Sequence, residues 1–397
     1  MTQQLTTSST QVTQGHVSRR RALPRWVLWL GALATLYMLI VAIGIIGDGF
    51  KGLGKDAAQG LFDFATNPFI GLFVGILATA IIQSSSTTTT LVVTAVGAGA
   101  LPVEVAVPMI MGANVGTSVT NTLASLGHIG HKDEFRRAFA ASTVHDFFNL
   151  LAVIVLLPLE LFFQPIQRSA AWLADALYGT VLPEPGNADL IGALTKPAVN
   201  LLGMNGIMGS LQGGILSASL TIALGIAAIF MAVRWLGKIL QILMVGKAKT
   251  ILEKSVGGHP ATAMAAGVGV TALVQSSSVT TSVMVPFAGS GALTTKQIYP
   301  LTLGANVGTT ITALIAAMAV TGQGAALALE IALVHVLFNV FGIVLIYVLP
   351  FLRNIPLVCA EFLAKVATEH KSLALAWVVT VFLAIPALAI LIHTQFT

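Results

Sequence analysis

The chain has 397 residues, of which 56% are hydrophobic and 9% charged, with a mean hydropathy of +0.89. An ordinary soluble domain carries about 25% charged residues, so this composition excludes one and implies an all-α, multi-pass integral membrane protein. The net charge of +5 does not point to nucleic acid, because the basic residues lie between apolar stretches, where they orient a chain in a bilayer. Cys359 is the only cysteine, which rules out an intrachain disulfide and a cysteine-based metal site.

Residues 1–25 are expected to form a disordered cytoplasmic tail, since 1–18 are rich in Ser, Thr and Gln and lack an apolar run. Ser18-Arg19-Arg20 begins as a twin-arginine export signal does, but no small-residue cleavage site follows a short core. The stretch 26–46 therefore reads as an uncleaved first helix, about 20 residues long and anchored by Arg19, Arg20, Arg21 and Arg25. Residues 68–82 are apolar but short for a span, and they run into hydroxyl residues at every position from 84 to 90. Two short helices meeting at a polar tip, a re-entrant hairpin, describe this segment better. Gly71 and Gly75, four apart on one face, suit close packing against a neighbour.

The tip word Gln83-Ser84-Ser85-Ser86 is followed by Gly112-Ala113-Asn114-Val115-Gly116-Thr117. Both words return 192 residues later, as Gln275-Ser276-Ser277-Ser278 (83 to 275) and Gly304-Ala305-Asn306-Val307-Gly308-Thr309 (112 to 304). His145-Asp146-Phe147-Phe148-Asn149 is answered 190 residues on by His335-Val336-Leu337-Phe338-Asn339. These pairs place one repeat at 26–163 and a second at 214–352. Between them, 164–213, with Pro165, Pro183, Pro185 and Asn187, is expected to be an external linker. The C-terminal segment 353–397 holds one more spanning helix over 373–392, interrupted by Pro386.

Basic residues set the orientation of the repeats. Arg19 to Arg25 precede the first helix, and Lys132, Arg136 and Arg137 follow the first Gly-Ala-Asn word, so both segments are expected to be cytoplasmic. In the second repeat, Arg234, Lys238, Lys247, Lys249 and Lys254 follow the first apolar run, whereas 321–329 carries no charge. The two repeats are thus expected to be inverted, each with a first helix, a re-entrant hairpin, a broken crossing helix and a closing helix. Polar, Gly-punctuated breaks at matching places in two halves of a hydrophobic chain are the pointer to a transporter binding site.

In hydrocarbon an unpaired backbone group costs several kcal/mol, so an unwound segment survives only where protein or a hydrated ligand satisfies it. Hydroxyls, amide side chains and freed helix N-terminal amides suit an oxyanion, and the same oxygens suit a hard monovalent cation. Neither word contains the Asp, Glu or His on which proton coupling normally relies. A divalent anion entering a cell at ~100 mV inside-negative faces roughly 4.6 kcal/mol, so its uptake needs cations travelling with it, and the words favour sodium. His145 and His335 read as packed core residues, and Asp146 as a structural partner of nearby arginines. His128, His131, Lys132, Asp133 and Glu134 read as a solvated turn.

The run from Gly112 through Ser118-Val119-Thr120-Asn121-Thr122, the stretch Phe135-Arg136-Arg137-Ala138-Phe139-Ala140 leading to His145, and the paired Gln-Ser-Ser-Ser words closely resemble the type II sodium/phosphate cotransporter family. The resemblance covers about 26–352 and implies sodium-coupled symport of inorganic phosphate by alternating access, with no enzymatic activity and no cofactor. It implies that Ser84, Ser85, Ser86 and Thr87 join Ser276, Ser277 and Ser278 around phosphate. Gln83, Gln275, Asn114, Thr117, Thr120, Asn121, Asn306 and Thr309 are then implied for sodium coordination and the hydrogen bonds framing it. Animal members carry a large, cysteine-containing, glycosylated loop between repeats. Here 164–212 is short and free of Cys, which points to a bacterial member in the inner membrane, with its oligomeric state left open.

Three other readings compete. Another oxyanion such as sulfate fits the same inventory, and the Gly-Ala-Asn words could line a channel filter. An intramembrane serine hydrolase is disfavoured, because Ala288-Gly289-Ser290-Gly291 misses the Gly-x-Ser-Gly spacing and no His or Asp stands to activate the triple serines.

Overall fold

The computed structural model describes residues 23–54, 57, 67–178, 190–211, 214–322 and 324–396. The expected tail up to residue 22, and Pro183, Pro185 and Asn187 of the linker, lie outside the described residues. Repeat one comprises α1 (Arg25–Leu53), α2 (Pro68–Ile82), α3 (Ser85–Gly97), α4 (Val103–Gly116), α5 (Val119–Ser125) and α6 (Lys132–Phe163). The linker contributes α7 (Pro165–Tyr178) and α8 (Leu190–Leu202). Repeat two follows with α9 (Gly214–Ser255), α10 (Pro260–Val274), α11 (Ser277–Ser282), α12 (Val285–Gly289), α13 (Thr295–Ala319) and α14 (Ala325–Gly342). Then come α15 (Pro350–Glu369), α16 (Ser372–Val379) and α17 (Ile385–Phe396).

Among the described residues, 6 helical stretches are long and apolar enough to cross a bilayer: α1, α6, the first part of α9, α13, α14 with its π-helical continuation, and the α16–α17 pair. The chain is an all-α, multi-pass integral membrane protein. Between α16 and α17 the helix widens to a π-turn over Thr380–Ala384, just ahead of Pro386. Proline lacks the N–H for the regular bond and crowds the carbonyl one turn back, which accounts for the expected interruption.

Both hairpins are built by the same local chemistry. Asn67 caps α2 by accepting from Phe69 N at 2.9 Å, His259 caps α10 by accepting from Ala261 N at 3.2 Å, and Pro68 and Pro260 start the two helices. The arms α2 and α3 have 15 and 13 residues, hence ~22 and ~20 Å, short of the ~30 Å hydrocarbon core. Each first arm packs against the crossing helix of its own repeat at backbone contact distance. A β-carbon at Gly75 would overlap the Met109 carbonyl of α4, and one at Gly267 the Leu301 carbonyl of α13. The glycines of the Gly-Ala-Asn words therefore serve close helix approach: Gly112 abuts Leu72, and Gly304 abuts Met264.

α1 and α9 pack side by side in opposite directions: Gly31 meets Ile239, whereas Gly49 meets Ile222 and Ala218. The pairing has a two-fold pattern, since shifting Gly31 and Ile239 by the repeat offset returns positions 223 and 47, beside the Gly49–Ile222 and Gly225–Ile46 contacts at the other end of the helix pair.

One expectation needs correction. The crossing helix of repeat two is not broken: α13 runs continuously through Gly304 to Thr309. In repeat one the corresponding helix tightens at Thr117 and Ser118, whose amides donate to carbonyls three residues back, before α5 begins. The cause is Asn149, whose Nδ2 donates to the Asn114 carbonyl at 2.9 Å and draws it from the regular ladder. Its counterpart Asn339 donates instead to the Asn114 side chain and to the His335 carbonyl, so the Asn306 carbonyl stays in its helix. The linker packs against the first helix. α8 lies along α1, with Tyr37 Oη donating to the Leu194 carbonyl at 3.1 Å and Asp48 accepting from Met204 N at 2.6 Å.

Candidate functional site: paired hairpin tips and a buried amide network

The two Gln-Ser-Ser-Ser words fold alike. Gln83 and Gln275 end their helices in the left-handed region, at φ 54° and 56°. Ser84 and Ser276 are then extended and cap the next helix, Ser84 Oγ accepting from Thr87 N at 3.2 Å and Ser276 Oγ from Val279 N at 3.3 Å. A left-handed conformation costs a non-glycine residue roughly 1–2 kcal/mol, yet Gln164, at the end of α6, adopts it too, with φ 52°. The left-handed glutamine alone is therefore not diagnostic of a site. What distinguishes the words is the serine cap placed directly after it, twice.

Among the residues implied for phosphate, Ser85, Ser86, Thr87 and Ser277 are buried, while Ser84, Ser276 and Ser278 are half-buried. Ser84 Oγ and Thr87 Oγ1 lie 2.9 Å apart. Among the described residues, no hydrogen bond joins 84–87 to 276–278. The glutamines differ: Gln83 is exposed, while Gln275 accepts from Thr312 Oγ1 at 2.7 Å and donates to the Ala272 carbonyl at 2.6 Å.

The asparagines are drawn into one buried chain of hydrogen bonds that joins the repeats. Thr281 on α11 donates to Asn121 Oδ1 at 2.8 Å, and Asn121 Nδ2 lies 3.4 Å from His145 Nδ1. His145 Nε2 bonds Asn306 Oδ1, and Asn306 Nδ2 donates to Asn149 Oδ1 at 2.8 Å. Asn149 Nδ2 reaches the Asn114 carbonyl, and Asn339 Nδ2 donates to Asn114 Oδ1 at 3.1 Å. Because amide oxygens only accept, His145 must carry its proton on Nε2 and accept at Nδ1. All of these side chains are buried. Asn121 thus spends its amide on α11 and α6, Asn306 spends its own on α6, and Asn114 accepts from α14 while donating to the Ile110 carbonyl of its own helix. Thr117 and Thr309 donate back to the Ala113 and Ala305 carbonyls, at 2.9 and 3.0 Å, and Thr120 is half-buried.

Sequence reasoning passed over Asn149, Asn339, Thr281 and Thr312 as site residues. The signal for the first two was present, since His-x-x-x-Asn recurs in both repeats with its polar residues four apart on one helix face. His145 is the hydrogen-bonded core residue expected, but one of its partners, Asn306, belongs to the second Gly-Ala-Asn word, so an imidazole does touch that word. Among the described residues, Asp146 bonds no arginine. Its carboxylate accepts from Trp377 Nε1 at 2.9 Å and Thr122 Oγ1 at 3.2 Å, while Arg137, more than two turns earlier, donates to the Gly289 carbonyl. The symmetry also fails at His335, the counterpart of His145: among the described residues neither of its ring nitrogens has a partner, and Asn339 Oδ1 has none.

Residues 38–179 and 205–364 match the family described as Na+/Pi-cotransporter. The chain is 31% identical over 457 residues to the human sodium-dependent phosphate transport protein 2B, which covers 91% of this chain and 64% of that protein. It is 32% identical over 426 residues to the rat sodium-dependent phosphate transport protein 2A, which covers 90% of this chain and 66% of the relative. The chain therefore spans less than two thirds of the length of the 2B proteins it matches. No solved structure matches it. With duplicated hairpin tips, crossing helices packed through paired glycines and a family match running through both repeats, the chain belongs to the Na+/Pi-cotransporter family.

Proposed function

We propose that this chain is a secondary active transporter that brings inorganic phosphate into the cell together with sodium, by alternating access, with phosphate held between the two hairpin tips. The observation that carries this reading is the repeated tip: a left-handed glutamine followed by a capping serine, once in each half. In the first tip, α3 has 13 residues and adds its first-turn amides other than that of Thr87, which the Ser84 cap takes, and these favour an anion. In the second, α11 has only 6 residues, so its contribution rests on hydroxyls. Ser84, Ser85, Ser86 and Thr87 with Ser276, Ser277 and Ser278 are assigned to phosphate. Gln83, Gln275, Asn114, Thr117, Thr120, Asn121, Asn306 and Thr309 are assigned to sodium and to the frame around it.

The antiparallel, two-fold pairing of α1 and α9 supports inverted repeats, because an axis perpendicular to two spanning helices lies in the membrane plane. The names of the relatives support sodium and phosphate as the cargo. The short, cysteine-free linker supports a bacterial inner membrane. The test is reconstitution into vesicles followed by uptake of radiolabelled phosphate. Accumulation is expected only under an inward sodium gradient, and equal uptake with potassium or a proton gradient in its place would overturn the coupling.

A further inference from the structure

Where α6 enters the bundle, a cleft of about 450 Å³ opens between α6, α15 and the start of α13, lined by Arg136, Arg137, Glu361 and Lys365, with Val358 and Phe362 at its edge. Three cations and one carboxylate leave it electropositive. Among the described residues the ion pair His128–Glu134 lies elsewhere, and Arg136, Arg137 and Lys365 form none. Arg137 is held by the Gly289 carbonyl, at 2.9 Å from Nε and 2.6 Å from Nη2, which fixes one wall.

The depth of the cleft follows from helix lengths. α6 has 32 residues, ~48 Å, so its first turns extend beyond a ~30 Å hydrocarbon core and bring the arginines to headgroup level. α15 runs back alongside, its Ala364 and Ala367 packed with Phe135 and Phe139. From the cleft an apolar stripe continues along α15: Phe362, Val358, Ile355 and Phe351 stand on one helix face and are 68%, 63%, 40% and 70% exposed. In a membrane protein that face meets acyl chains, and it extends ~16 Å from the cleft.

We propose that this cleft binds an anionic phospholipid, its phosphate between Arg136 and Lys365 and one acyl chain along Phe362, Val358, Ile355 and Phe351. Free inorganic phosphate offers the same headgroup chemistry but makes no use of the stripe, so the lipid is the better complement. Basic pockets between spanning helices are suited to anionic lipid headgroups, each basic side chain adding about fivefold to affinity.

Lipid retention by the full chain measures this directly, by native mass spectrometry after exchange into detergent containing phosphatidylglycerol or phosphatidylcholine. Retention of phosphatidylglycerol alone is expected, weakening by about fivefold in each of Arg136→Gln and Lys365→Gln and strengthening in Glu361→Gln, which removes the opposing charge. Arg137 is left intact because it also holds Gly289. Equal retention of both lipids by the unmodified protein would overturn the site without any variant. So would unchanged retention in the folded variants, or displacement of the lipid by inorganic phosphate, which would make the cleft a site for the free anion.

Discussion

Asn306 Nδ2 donates to Asn149 Oδ1 at 2.8 Å, so the crossing helix of the second repeat is bonded to the closing helix of the first. The other end of the same amide meets His145, one turn earlier on α6. A buried amide stripped of its partner costs about 1–3 kcal/mol, whereas a satisfied pair contributes only about 0.5–1.5. Asn149→Ala and Asn306→Ala should each lower the thermal midpoint in detergent, and the double variant should lose less than the two single losses added together. Strict additivity would mean that the two amides do not act on each other.

His145 and His335 occupy equivalent places, but among the described residues only His145 has partners. His145→Leu should therefore destabilise the folded protein by roughly 1–3 kcal/mol, because it strands Asn306 and Asn121. His335→Leu removes a buried imidazole without partners and should be neutral or stabilising. Comparable losses in both variants, measured by thermal unfolding, would show that His335 is satisfied after all.

The capping serines allow structural and ligand effects to be separated. Ser84→Ala and Ser276→Ala should each weaken phosphate binding roughly 10- to 150-fold, the value of a hydrogen bond to a charged group, and also lose a helix cap worth about 1 kcal/mol. Ser84→Asn and Ser276→Asn should restore the cap and the thermal midpoint without restoring phosphate affinity. Recovery of transport along with the cap would make the serines local structural devices.

At Gly75 and Gly304 an added methyl meets a backbone carbonyl of the facing helix, which cannot rotate away. Gly75→Ala and Gly304→Ala should therefore cost at least the ~1–3 kcal/mol typical of overpacking. Gly47, at which an added methyl meets nothing within 4 Å, serves as the control. Equal thermal midpoints for Gly47→Ala and Gly75→Ala would contradict the close packing of α2 on α4.

The proposed inversion of the repeats makes a prediction independent of transport. Lys51 and Lys247 follow corresponding segments and are both exposed. In a Cys359→Ala background, a cysteine at 51 should react with an impermeant thiol reagent from outside, given any outer membrane made permeable to it. A cysteine at 247 should react only once the inner membrane is opened. Labelling of both from one side, with expression and transport intact, would mean parallel repeats.

Much of this architecture was legible in the sequence because it rests on local chemistry. The shortage of charge dictates a bilayer-spanning chain, since no bilayer tolerates many unpaired charges. The caps at Asn67 and His259, the prolines after them and the serines at the tips act on their own backbone within a few residues, so the words shape the hairpins wherever the chain goes. The duplicated tip words fold alike for the same reason. Tertiary structure alone decided which side chains meet. Whether a Gly-Ala-Asn helix breaks depends on an asparagine from α6 reaching across to one carbonyl, which it does at Asn114 and not at Asn306. Two near-identical words thus fold differently, because a hydrogen bond between distant segments depends on their packing, to which spacing along the chain is blind.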